Sequence, residues 1–416
     1  MSIISNFKNS DFFQNFVNLS LNQGFSLIAT LIYTPFIFKT IGEESFGDIH
    51  LAFSIVMILT TIVHYGYNLN GPKIIADSRI DYSVNHFISE ILSLRIIISI
   101  ILIIIILPFL FYNYNDFNKI LVYSLSILIC ESLNPLFYLQ GINKIFPYSI
   151  LNFFSKSLMI IFFFLIIEDN IDSFLVNLIY ALSILIFYII FWWNFHLKIG
   201  LFFNIKLKRI KIKIIDNFKF FMSSIYDHLT VNSALILLAF FVSDKELGRF
   251  TLSYKVAFLL RMIPVFFVQS ALQNATVLRN SKQLMYEKYV QKNYRMGLIS
   301  TFFLALVTIL FSDIIIFYFS GELIPYSSKV LKILSVIPFL AMLNFKNITF
   351  LLANNLKNIL NKSTFITLNL MFIYCLSLSF FFGGIGISYA LILTEISCFL
   401  VFLYQIKKYK IISLNT

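Results

Sequence analysis

Runs of about twenty apolar residues, separated by short polar segments, recur along the whole chain. Each run is long enough for a helix to cross a bilayer, because a helix rises about 1.5 Å per residue and the hydrocarbon core is about 30 Å thick. Only 12% of the residues are charged and 59% are hydrophobic, whereas the surface of a soluble domain needs about 25–35% charged residues. The chain is therefore predicted to be an all-α integral membrane protein.

The apolar runs predict twelve transmembrane helices. The first run contains polar amides and lacks a small-residue cleavage site, so it is predicted to be a retained span and not a signal peptide. The predicted spans cover residues 14–38, 44–66, 89–112, 119–141, 146–167, 171–195, 216–242, 249–273, 296–319, 328–353, 363–382 and 385–405.

The basic residues are unevenly distributed between the two alternating sets of loops. Twenty Lys and Arg residues fall on one set of loops and ends, and six fall on the other. Because basic residues accumulate on the cytoplasmic side of a membrane protein, this bias predicts that both termini are cytoplasmic. The net charge of +12 is then a topology signal. It does not indicate a nucleic-acid partner, since the charges lie on separate short loops.

The most basic segment, residues 198–215, lies at the centre of the chain. It is predicted to be a cytoplasmic linker between an N-terminal six-helix lobe (1–197) and a C-terminal six-helix lobe (216–416). Its alternating basic and apolar residues would also suit a segment that lies along the anionic inner leaflet.

A short repeat supports the division into two halves. Residues 41–47 (IGEESFG) and 242–248 (VSDKELG) each join the first and second spans of a half, with Gly47 and Gly248 in register. The halves then have the same orientation, which predicts two lobes related by a pseudo-two-fold axis along the membrane normal, as in many transporters. Chance similarity between two hairpin turns is the alternative.

Several ionisable side chains are predicted to lie at membrane depth, where each needs a partner, a wet cavity or a path to the interface. Glu131 and Lys156 lie at matching depths in consecutive spans, which predicts that they face each other. Asp227 and Arg261 match in the same way in the second half. Two interpretations are open for each pair: an ion pair within a lobe, or a cation that lines a central cavity and contacts a substrate phosphate.

Four further charged residues complete this set. Lys255 either lines the cavity or extends to the outer interface, and Lys346 is a candidate cavity cation. Glu395 has no evident partner in the sequence and is the candidate protonatable group if transport is coupled to an ion. Arg95 lies near an inner helix end and is predicted to extend to the lipid headgroups.

Polar uncharged residues within the spans provide hydrogen-bonding groups of the kind that sugar hydroxyls require. Hydrogen bonding between helices is the alternative role for each of them. The candidate sugar contacts are Asn18, Asn22, Gln23, His64, Asn68 and Tyr226. The His and Cys residues lack metal-ligand spacing, and no GxxxxGK[ST] phosphate loop is present. We therefore expect no metal or cofactor, and no enzymatic activity.

Motifs in the first eighty residues resemble those of a known family. Residues 21–24 (LNQG), 33–36 (YTPF), 41–47 (IGEESFG) and 65–76 (YGYNLNGPKIIA) resemble the start of polysaccharide repeat-unit flippases. These are the O-antigen and related transporters of the multidrug/oligosaccharidyl-lipid/polysaccharide exporter superfamily.

The resemblance implies a MATE-like, twelve-helix flippase of the bacterial inner membrane. Its substrate would be an undecaprenyl-pyrophosphate-linked oligosaccharide, moved from the cytoplasmic to the periplasmic leaflet by alternating access. Its partners would be the membrane lipids, a polysaccharide polymerase and a chain-length regulator. The alternatives are a cation-coupled multidrug or toxin antiporter on the same scaffold and a membrane polysaccharide polymerase. The excess of cations at depth disfavours the antiporter, and the short outer loops disfavour the polymerase.

Overall fold

The computed structural model describes residues 11–77, 81–112, 115–199, 207–281 and 283–415. Nearly all of these residues are helical, and no strand occurs among them. The helices, numbered in chain order, are α1 (Asp11–His64), α2 (Tyr67–Asp77), α3 (Asp81–Tyr112), α4 (Asp116–Ser124), α5 (Ser126–Ser132), α6 (Leu136–Gly141), α7 (Phe146–Ile166), α8 (Ser173–Ile199), α9 (Leu207–Ala239), α10 (Asp244–Ser281), α11 (Gln283–Ser320), α12 (Pro325–Leu334), α13 (Ile337–Leu343), α14 (Phe345–Ala353) and α15 (Lys357–Asn415).

Nine helical stretches of the described residues are long and apolar enough to cross a membrane. Two of them, Gly24–Ala76 and Lys357–Tyr409, are 53 residues long, about twice the length that one crossing needs. Each is interrupted by a glycine with positive φ, Gly42 at 80° and Gly383 at 54°. These breaks fall between predicted spans one and two and between predicted spans eleven and twelve. The predicted all-α integral membrane class is confirmed.

The seventh predicted span lies in α9, in which His228–Ala239 forms a shorter apolar stretch. The fourth and tenth predicted spans are each divided into three short helices, α4 to α6 and α12 to α14. Pro135 and Pro338 lie at the starts of α6 and α13. A proline lacks the backbone N–H that would continue the helical bonding, so both divisions have a cause in the sequence.

The chain divides into two compact units, residues 1–233 (unit 1) and 234–416 (unit 2). The predicted linker at 198–215 is described only in part, because residues 200–206 lie outside the described residues and 207–215 form the start of α9. In unit 1, α1 packs along α7, and α8 contacts α4, α5 and α7. In unit 2, α10 packs against α11, α12 and α14.

The break in α15 brings its two halves into close contact at Gly386. A Cβ atom at this position would collide with the backbone of Leu378, on the other side of the break. A Gly386→Ala variant is therefore expected to lose about 1–3 kcal/mol of stability, seen as a lower Tm of the purified protein in detergent. Gly24→Ala is the matched control, because a Cβ there meets no atom within 4 Å. An equal loss in both variants would contradict the predicted close contact.

Candidate functional site

Arg95 lies within unit 1 with no part of its surface exposed. Its Nη2 donates to Oδ1 of Asn68 at 2.9 Å, and its Nη1 donates to the backbone carbonyl of Asn134 at 3.4 Å. The guanidinium also covers the ring of Phe137, with 4.5 Å between Cζ and the ring centroid. The prediction that Arg95 extends to the lipid headgroups is wrong, because these neutral partners hold the charge inside the unit.

The helix break at Pro135 provides several of the polar groups around Arg95. Since Pro135 has no N–H, the carbonyl of Glu131 loses its usual helical donor four residues on, and Nε2 of His64 lies 3.2 Å from it. The carbonyl of Leu133 accepts from Nε1 of Trp192 at 2.7 Å, and that of Asn134 accepts from Arg95. The break is therefore stabilised by side chains, as buried backbone groups require.

The carboxylate of Glu131 contacts both Asn134 and His64. Its Oε2 accepts from Nδ2 of Asn134 at 2.8 Å and lies 3.2 Å from Nε2 of His64. On the other edge of the imidazole, Nδ1 lies 3.0 Å from Nδ2 of Asn68. Arg95, Asn68, His64, Glu131 and Asn134 thus form a continuous cluster of buried and half-buried side chains, which we call the unit 1 network.

Hydrogen-bond chemistry fixes the proton positions in the unit 1 network. An arginine only donates, so the oxygen of the Asn68 amide must face Arg95 and its NH₂ group must face His64. Nδ1 of His64 is then an acceptor, and the ring proton lies on Nε2, which donates toward Glu131. The imidazole is neutral in this arrangement. The positive charge of Arg95 is balanced by the carboxylate of Glu131.

The other predicted site residues of unit 1 are described only in part. The Nζ atom of Lys156 lies 4.1 Å from the ring centroid of Tyr180, and its predicted pairing with Glu131 stays a prediction. Tyr226 is half-buried on α9. The side chains of Asn18, Asn22, Gln23 and Asp227 lie outside the described residues.

In unit 2, Arg261 pairs with Glu395. Nε and Nη2 of Arg261 donate to the same oxygen, Oε1 of Glu395, at 2.9 and 2.6 Å. The carboxylate side chain is 10% exposed, whereas the arginine side chain is 35% exposed. Glu395, which has no evident partner in the sequence, is therefore paired with Arg261. The predicted partner of Arg261 was Asp227, whose side chain is not described.

The sequence profile of a family described as "Polysaccharide biosynthesis protein" matches residues 12–273, more than half of the chain. The chain belongs to this family. Two bacterial relatives carry the name "Putative O-antigen transporter". The one from Shigella dysenteriae is 24% identical over 58% of this chain and 62% of its own length. The one from Escherichia coli K12 is 24% identical over 92% of this chain and 93% of its own length.

Solved structures of two kinds of transporter share the fold of this polysaccharide biosynthesis protein. An inward-facing multidrug resistance MATE family transporter of the MOP superfamily aligns with a TM-score of 0.72 at 12% identity, over 97% of this chain and 99% of the other. The lipid II flippase MurJ in an inward closed conformation aligns with a TM-score of 0.75 at 14% identity, over 95% and 87% of the two chains. The two relatives are named as transporters, and the two structures are of a transporter and a flippase. The expectation that the chain is not an enzyme is confirmed.

Two candidate cations remain in unit 2 of this family member. Lys255 is half-buried on α10. Lys346 lies on α14, with its Nζ 4.3 Å from the ring centroid of Tyr294. Among the described residues, no cluster of His, Cys, Asp and Glu side chains is suited to hold a metal ion. Arg95 is the residue that sequence reasoning missed, although the His64 and Asn68 pair, four residues apart, was a signal for a buried polar partner.

Proposed function

We propose that the protein is a flippase for an undecaprenyl-pyrophosphate-linked oligosaccharide, such as an O-antigen repeat unit. It would move this lipid from the cytoplasmic to the periplasmic leaflet of the bacterial inner membrane by alternating access, with both termini in the cytoplasm. The family assignment and the names of the bacterial relatives support a polysaccharide precursor as the substrate. A polysaccharide polymerase and a chain-length regulator are the proposed functional partners.

The observation that carries the proposal is the partial exposure of the Arg261 side chain. Arg261 lies well inside the apolar span Asp244–Leu272, yet 35% of its side chain is exposed. A permanently charged group at membrane depth is costly in lipid, so an exposed one is expected to face a water-filled cavity. Arginine suits a pyrophosphate group there, because its planar fork binds phosphate oxygens with two hydrogen bonds.

Glu395 is proposed to be a positioning residue for Arg261. It engages Nε and Nη2 through one oxygen, which fixes the plane of the guanidinium while leaving Nη1 directed elsewhere. An arriving pyrophosphate would add a second anion to the same cation. The pyrophosphate would accept hydrogen bonds from the N–H groups of Arg261 that Glu395 does not use, and release in the other leaflet would leave the ion pair alone.

The antiporter alternative requires a carboxylate that is free to bind a proton or cation during transport. Glu395, the candidate from the sequence, is already bonded to Arg261, and the carboxylate of Glu131 is bonded to His64 and Asn134. Both carboxylates thus have cationic or hydrogen-bonding partners, which favours the flippase over the antiporter.

Deletion and complementation in the source bacterium tests the proposal. Cells that lack the protein are expected to lose surface polysaccharide and to accumulate single lipid-linked units in the inner leaflet, and the wild-type chain should restore both. Accumulation in the outer leaflet would indicate a block in polymerisation and would contradict the flippase. Normal surface polymer in the deletion strain would contradict it as well and would favour the antiporter.

A further inference from the structure

A cavity of about 870 Å³ lies within unit 2. Its walls come from the end of α10, the first half of α11, α14 and the last part of α15. The end of α10 and the first half of α11 carry several of the basic residues that predict a cytoplasmic location. The cavity therefore lies at the end of unit 2 that is predicted to face the cytoplasm. Along α10, its lining residue Arg279 is far from Arg261.

The walls of the cavity are strongly cationic. Among the described lining residues are five cations and a single carboxylate, that of Glu287; the cations are Arg279, Lys288, Lys292, Arg295 and Lys346. Lys288, Lys292 and Arg295 occupy positions i, i+4 and i+7 of α11, so they project from one face of that helix. A concentration of cations around a concave site favours an anionic ligand.

Aromatic rings hold two of these cations in place. The Nζ atom of Lys346 lies 4.3 Å from the ring centroid of Tyr294. The Cζ atom of Arg279 lies 5.4 Å from the centroid of Phe350 and 5.9 Å from that of Tyr286. Such contacts stabilise a cation without neutralising its charge. The positive charges of Lys346 and Arg279 therefore remain available to a ligand.

Two observations favour an anionic ligand in this cavity. Lys346 and Arg295 both line the cavity, and like charges gathered at one concave site are unfavourable unless an anion lies between them. The wall also contains Asn347, which is 8% exposed and whose Nδ2 atom has no hydrogen-bond acceptor among the described residues. A buried donor without an acceptor is costly and is usually explained by a ligand or water.

We propose that this cavity binds the phosphate group of an anionic membrane lipid headgroup. Basic pockets between transmembrane helices at the cytoplasmic side are suited to anionic headgroups. The cations of α11 would contact the phosphate oxygens, and the Asn347 amide would donate to one of them. The buried side chain of Ile406 and the half-buried Phe350 add apolar wall that suits the glycerol and acyl ester region of the lipid.

Lipid binding to the full-length protein in detergent tests the site by native mass spectrometry. The probe is dioleoyl phosphatidylglycerol, with phosphatidylcholine as the reference lipid. The double variant Lys292→Gln/Arg295→Gln is expected to raise the Kd of the first bound phosphatidylglycerol by at least about tenfold, the effect of losing one charge-assisted hydrogen bond. Both side chains are exposed, so the fold is expected to be retained.

The matched control is Lys357→Gln/Lys362→Gln, which removes the same charge from exposed residues of α15 that do not line the cavity. Its Kd is expected to equal that of the wild type. Equal weakening in both variants, or none in either, would overturn the proposal.

Inorganic pyrophosphate as a competitor identifies the source of the phosphate. If pyrophosphate displaces the lipid from the wild type but not from the Lys292→Gln/Arg295→Gln variant, the site recognises the phosphate group itself, free or lipid-borne. A cavity that retains phosphatidylglycerol against pyrophosphate would support a site for lipid-borne phosphate. If the protein binds neither phosphatidylglycerol nor pyrophosphate more tightly than phosphatidylcholine, the proposal is overturned. Because no transport is measured, this site and the proposed flippase function can fail separately.

Discussion

Replacing Arg95 with methionine is expected to destabilise unit 1 by about 3–5 kcal/mol, the typical cost of leaving a buried charge without its partner. The carboxylate of Glu131 would lose the cation that balances it, and the carbonyl of Asn134 would lose its donor. The expected result is a lower Tm of the purified protein and a lower level in the membrane.

A double-mutant cycle separates the charge effect from the loss of packing. If Arg95 and Glu131 are coupled through the unit 1 network, the double variant Arg95→Met/Glu131→Gln is expected to be more stable than the sum of the single variants predicts. Strict additivity would contradict the coupling. Lys144→Met is the control, because it removes the same charge from an exposed position and is expected to change stability by less than about 0.5 kcal/mol.

Arg95→Lys tests the geometry of the unit 1 network separately from its charge. The guanidinium reaches Asn68 and the Asn134 carbonyl with two different nitrogens, and a lysine has a single nitrogen at the end of its chain. We expect the lysine variant to be intermediate between wild type and Arg95→Met in thermal unfolding. A fully stable lysine variant would show that charge alone suffices.

The membrane class and most span boundaries follow from the sequence, because the bilayer imposes a length on each helix. The breaks at Gly42 and Gly383 are equally local, since glycine accepts the positive φ that ends one helix and starts the next. The division of the fourth span at Pro135 has the same kind of cause. These features depend on a few neighbouring residues, which is why they can be predicted.

The pairing of buried charges is not local, so the sequence alone does not determine it. Arg261 and Glu395 are 134 residues apart in the chain, and matching depths in consecutive spans cannot find such a partner. Arg95 is buried because a broken helix presents carbonyl groups to it, and this depends on how α3 packs against α5. Arg295 lies on α11 and Lys346 on α14, and only packing brings them to one cavity.

The second large effect is expected from Arg261→Ala, which should lower flipping of the lipid-linked unit by at least about tenfold. The reason is the loss of the guanidinium, on a partly exposed side chain, that we propose binds the pyrophosphate. The assay follows the leaflet location of the lipid-linked unit in the complemented deletion strain, with the membrane level of each variant measured in the same cells. Lys357→Ala is the charge-matched control on an exposed surface.

Variants of Glu395 show whether this residue positions Arg261 or couples transport to a proton. Glu395→Gln keeps an oxygen that accepts from Nε and Nη2 of Arg261, so a positioning role predicts that most transport is retained. Glu395→Ala removes that acceptor and is expected to lower transport further, with the membrane level unchanged. A coupling role predicts instead that Glu395→Gln abolishes transport, because an amide cannot exchange a proton at this position. Normal flipping in Arg261→Ala at a normal membrane level would remove Arg261 from the substrate path and leave it as half of a structural ion pair.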